Sequence, residues 1–91
     1  MEKKLKILIV DGDVSEAEIL ESRLQTDFEV AGTAFDGVRA VEKIKGQLPD
    51  VVLIDIMLPQ IDGIGVIEKC REEMEYEQLP VFIVLTSIGT E

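Results

Sequence analysis

Four short apolar runs set the terms for any fold this chain can adopt. Leu5 to Val10 is broken only by Lys6, and Phe28 to Ala34 is rich in β-branched and small residues. Val51 to Ile54 and Val81 to Leu85 are wholly apolar. All have strand length. Runs this continuous predict strands buried on both faces, the pattern of a parallel sheet with helices above and below.

Helical patterns fill the intervals. Asp13 with Glu16 three residues later predicts a capping box, in which cap side chain and third-residue carboxylate exchange bonds with each other's amides. Val14, Ala17, Leu20 and Leu24 then recur at helical spacing. Asp36-Gly37 opens a second helix, whose stripe Val38, Val41 and Ile44 ends at Gly46, before the turn Leu48-Pro49-Asp50. A third helix starts near Gly63, with Ile64, Ile67, Cys70 and Met74 on one face, and "EMEYEQLP" reads as polar linker. The order βαβαβαβ in 91 residues predicts a single α/β domain around one sheet.

Composition excludes some functions. A net charge of −10, with nine Lys and Arg dispersed among acids, argues against a nucleic-acid surface. No apolar run is long enough to span a bilayer, and "MEKKLKILIVDGD" lacks the core of a secretory signal. A cytoplasmic location with no membrane partner is therefore expected. The single cysteine, Cys70, has no internal disulfide partner and is expected to pack as a small apolar residue.

In open α/β sheets, ligands bind beyond the carboxyl ends of the strands. Three of the four strands end there on groups capable of chemistry: Asp11-Gly12-Asp13, Asp55, and Thr86-Ser87. If the first, third and fourth strands are neighbours, these groups converge. Crowded carboxylates call for a hard cation, and Mg²⁺ takes one or two of them while keeping several waters. Asp13 is also a natural helix cap, and Asp62 before Gly63 is expected as a turn or cap residue rather than a ligand. Asp55 ends a doubly buried strand with no capping partner in reach, so a functional role is expected for it.

These segments resemble the receiver domain of bacterial response regulators over essentially the whole chain. "LIDIMLPQIDG" is similar to the phosphoacceptor segment, with Asp55, Pro59, Asp62 and Gly63 at the motif positions. "FIVLTS" resembles the fourth strand with its hydroxyl, Thr86, and small residue, Ser87; "AGTAFDG" resembles the second strand and following helix. Within the family, the run ending "LTSIGTE" looks most like the receivers of sporulation-initiating regulators of endospore-forming bacteria.

The resemblance implies a flavodoxin-like sheet of order 2-1-3-4 here, with the family's fifth strand and last two helices missing. It implies a signalling domain rather than an enzyme, phosphorylated on Asp55 by a histidine kinase or phosphotransfer protein to control a transcriptional output domain. Mg²⁺ would be held by Asp11, Asp13, Asp55 and the Met57 backbone carbonyl, and Thr86 would hydrogen-bond the phosphoryl group. Two departures stand out. Gly12 occupies the position of the second acid after the first strand, and the lysine that leads the fifth strand has no counterpart. Residues 1–91 are thus expected to be a truncated or engineered receiver without an output domain, self-associating through the fourth-strand edge.

Two other readings compete. "LIVDGDVS" also fits the Asp-x-Asp motif of haloacid-dehalogenase-like phosphatases, with Asp11 and Asp13 in the active roles, although that leaves "DIMLPQIDG" unexplained. Alternatively, the fragment is inactive and its behaviour is dominated by self-association.

Overall fold

The computed structural model describes residues 3–85 of the chain. Strands β1 (Lys6–Val10), β2 (Glu29–Ala34), β3 (Val51–Asp55) and β4 (Val81–Leu85) alternate with helices α1 (Val14–Leu24), α2 (Gly37–Gln47) and α3 (Gly63–Glu73). All pairings are parallel, in the order β2-β1-β3-β4. This is the flavodoxin-like arrangement expected from the sequence. A 3-10 turn, Tyr76–Gln78, interrupts the segment read as plain linker.

Strand alternation divides the core into two layers. Leu8 and Val10 of β1, with Val52 and Ile54 of β3, pack on one face against Ala40, Val41, Ile44, Val66 and Cys70 of α2 and α3. Ile7 and Ile9 face the other way, onto Ala17, Leu20 and Leu24 of α1. Each large aliphatic side chain so buried contributes on the order of 1.5–3 kcal/mol.

The buried helical positions differ from the expected stripes at their N-terminal ends. Val14, Val38 and Ile64 are exposed, and the buried positions are Ala17 in α1, Gly37, Ala40, Val41 and Ile44 in α2, and Gly63, Val66 and Cys70 in α3. Each of the three exposed residues lies in the first turn of its helix.

Asp50 ties the start of β3 to β1. Its Oδ2 accepts from the Lys6 amide at 2.7 Å, and its own amide donates to the Lys6 carbonyl at 2.8 Å. β4 is paired on one side only, by β3. Phe82 reaches the α2–α3 core, while Val81 and Ile83 stay 63% and 47% exposed. The apolar pattern of this run predicts a strand buried on both faces, and the described residues leave it as a half-covered edge.

Candidate functional site

The carboxyl ends of β1 and β3 lie side by side, because Val10 pairs with Ile54. Asp11 follows directly on β1, and Asp55 is the last residue of β3. Around them opens a cavity of about 740 Å³, walled by Gly12, Asp13, Glu16, Met57, Pro59 and Asp62 among others. Asp11 is 3% exposed, the one buried charged residue among those described. Its Oδ1 accepts from the Asp13 amide at 2.9 Å.

Asp55 is half-buried, and its Oδ1 accepts from the Met57 amide at 3.1 Å. Its Oδ2 has no protein hydrogen-bond partner among the described residues. The loop after it is stitched tightly. The Ile56 carbonyl accepts from the Leu58 and Gly63 amides at 3.1 and 2.8 Å, and the Pro59 carbonyl from those of Gly37 and Ile61 at 3.2 and 2.9 Å. Gln60 completes the bend at φ 72°, a left-handed conformation rare for a residue with a side chain. The Met57 carbonyl turns back towards Gly12, where a β-carbon would stand 3.3 Å from it.

Each helix that meets this end of the sheet starts on an aspartate cap. Asp13 Oδ1 accepts from the Glu16 amide at 3.2 Å, Asp36 Oδ1 from the Arg39 amide at 2.7 Å, and Asp62 Oδ1 from the Gly65 amide at 2.7 Å. Asp62 is the cap the sequence suggests, although it also borders the cavity. The expected capping box at α1 is only half formed. The Asp13 amide donates to Asp11, so the Glu16 carboxylate makes no return bond and instead lines the cavity. The negative charges of Asp11 and then Asp13, with burial, a carboxyl–carboxyl hydrogen bond to Asp11 and the charge of Asp55 adding less, hold that carboxyl above its ordinary range.

Glu16 is the residue that sequence reasoning missed, because the capping box accounted for it. The other expected residues Asp11, Asp13, Asp55 and Met57 are brought together, while Thr86 and Ser87 lie outside the described residues. The donor set is all oxygen and acidic. No three acids or other ligating side chains among the described residues are grouped closely enough to encage an ion by themselves. The carboxylates that line the cavity are nonetheless oxygen donors of the kind Mg²⁺ takes, one or two at a time with water completing its octahedron. Among the described residues, no helix is long and apolar enough to cross a membrane.

The family model of the response regulator receiver domain matches residues 7–91. The chain is 40% identical over 89 residues to a probable transcriptional regulator, ycf27, of Guillardia theta, covering 98% of this chain and 34% of the relative. A ycf27 regulator of Cyanophora paradoxa matches at 40% over 87 residues, again over 34% of its length. The chain thus spans about a third of these curated relatives. They lend no support to the sporulation branch.

Among solved structures, the receiver domain of the putative response regulator NarL of Mycobacterium tuberculosis superposes with a TM-score of 0.79 at 28% identity. That match covers 98% of this chain and 71% of the other. A CheX–CheY–BeF3–Mg²⁺ complex from Borrelia burgdorferi gives 0.81 at 30% identity, covering 96% and 65%. These matches run through the segment "DIMLPQIDG", which the phosphatase reading leaves unexplained.

Proposed function

The chain belongs to the response regulator receiver family, and from that premise we propose that it accepts a phosphoryl group on Asp55. The donor is a phosphohistidine of a histidine kinase or phosphotransfer protein. A free carboxylate oxygen of Asp55 attacks phosphorus, the P–N bond breaks, and the histidine keeps the electron pair, giving an aspartyl phosphate on this chain. The observation that carries this reading is the state of Asp55. One of its oxygens is fixed by the Met57 amide, the other has no protein hydrogen-bond partner among the described residues, and the residue lines an open cavity.

The remaining residues take roles around that oxygen. Asp11, Asp55 and the Met57 carbonyl would hold Mg²⁺, with Asp13, whose Oδ1 is taken up as the α1 cap, in a lesser part. When bound, the ion supplies positive charge against the crowding of anions around the transferring group. The stitched loop holds Asp55 and the Met57 carbonyl in place before the donor arrives, so little reorganisation accompanies transfer. Thr86 donates a hydrogen bond from its hydroxyl to a phosphoryl oxygen, the local event that a two-state surface reads. In the whole protein that surface acts on a transcriptional output domain, as the ycf27 relatives suggest. The Borrelia CheY neighbour, a complex with CheX, BeF3 and Mg²⁺, supports both the ion and a protein partner at such a site.

The test is acetyl phosphate labelling in Mg²⁺, with borohydride trapping and peptide mapping. Label on Asp55, lost in Asp55→Asn, is expected. Label on Asp11 with turnover would point to phosphatase chemistry instead.

The exposed β4 edge favours one further property: self-association of this 91-residue chain through Val81 to Leu85. An edge strand offers a row of unpaired amides and carbonyls, and an identical strand is always complementary to it about a two-fold axis.

A further inference from the structure

We propose that Glu16 supplies, from the first turn of α1, the acid that Gly12 does not supply at the end of β1. It acts as an outer ligand, accepting hydrogen bonds from water on the bound divalent cation. The inference rests on reading the Asp11–Asp55 cavity as the metal-dependent phosphoryl site.

Three observations meet at this residue. Position 12 is tight: a β-carbon there would stand 3.3 Å from the Met57 carbonyl oxygen, which would have to give by a few tenths of an ångström, and 3.6 Å from Pro59 Cδ. The loop has settled against a residue without a side chain, so no acid enters from that point. Asp13 is engaged as the helix cap, with Oδ1 on the Glu16 amide. Its own amide is given to Asp11, which takes away the donor that a capping-box glutamate would use. Glu16 is left with both carboxylate oxygens free of N–H partners among the described residues, in the wall of the same cavity as Asp11 and Asp55. It is itself exposed, at the rim, where a hydrated ion keeps its waters. Acids that orient metal-bound water from one layer out typically change affinity by about 10–100-fold.

The experiment counts bound Mn²⁺ by electron paramagnetic resonance on the unphosphorylated chain, wild type against Glu16→Gln, Asp13→Asn and Asp55→Asn. Circular dichroism melts in EDTA establish that each variant is folded. Glu16→Gln is expected to weaken Mn²⁺ binding about tenfold or more while melting no lower than wild type without metal, and Asp13→Asn to weaken it less than Glu16→Gln. Wild-type affinity in Glu16→Gln, beside weakened binding in Asp55→Asn, overturns the role of Glu16 alone. Unchanged binding in Asp55→Asn places the ion elsewhere and overturns the reading of the cavity as well. Absence of binding by the wild-type chain overturns both.

Discussion

A β-carbon at residue 63 would drive into the backbone carbonyl of Asp55 and stand 2.9 Å from Ile56 Cα. Gly63 is therefore what lets α3 start directly beneath the proposed phosphoacceptor. Gly63→Ala is expected to cost about 1–3 kcal/mol by overpacking, seen in urea melts, and to slow acetyl phosphate labelling by displacing the end of β3. A conservative Asp62→Asn, which keeps an oxygen on the Gly65 amide, should leave labelling near wild type. Cys70 gives a second residue-level expectation. It is fully buried, and burial pushes its thiol up to about 11. Iodoacetamide at pH 8 should leave it unmodified in the folded chain and alkylate it in urea, since the thiolate is the reactive form. The Asp-Gly pair was legible because both residues answer to local backbone needs. Glu16 was not, because its environment depends on an amide bond made by Asp11, and no spacing rule records that competition.

At the level of elements, α2 and α3 are joined by Lys45 Nζ to Glu73 Oε1 at 2.8 Å, with Lys69 adding an i,i+4 contact of 3.2 Å from α3 itself. The hydrogen bond from Lys45, then that from Lys69, hold the Glu73 carboxyl below its ordinary range. A lowered folded-state value means the stabilisation is present above the unfolded carboxylate range and is lost as pH falls through the folded value. Lys45→Gln should therefore melt slightly below wild type at pH 7, and the two should converge in acid as Glu73 becomes protonated. The effect is small because both groups face solvent. Element order and type were readable from apolar runs and their period, but the ends were set by partners distant in sequence. Gly46 looked like the terminator of α2, yet the helix runs to Gln47 and the left-handed position, φ 49°, falls on Leu48. Pro49 forbids continuation, and Asp50 must turn to meet Lys6, so the reversal is placed by β1 rather than by the glycine.

For the molecule as a whole, the proposed self-association turns on β4. Three of its five residues, Val81, Ile83 and Val84, are 63%, 47% and 38% exposed. The 91-residue chain is expected to elute with the mass of a dimer by light scattering, and Val81→Lys to shift it towards monomer without loss of helical signal. A monomer at high micromolar wild-type concentration would remove the edge-pairing idea. The sheet order also bears on how the molecule comes into being. β1 is made first, yet it lies between β2 and β3, and no two of these strands join through a tight hairpin. Each pairing must close a loop that contains a whole helix, and such non-local topologies gain their reward late. A chain emerging from the ribosome can hold β1 against β2, but Asp11 then has no facing strand. The pocket needs Val51–Asp55 docked on the far side of β1 and the loop to Asp62 that follows it, and the α2–α3 core closes only once α3 has been made as well. On that order the proposed phosphoryl site would be among the last features to form, and a chain halted before β3 would present no cavity for a phosphodonor.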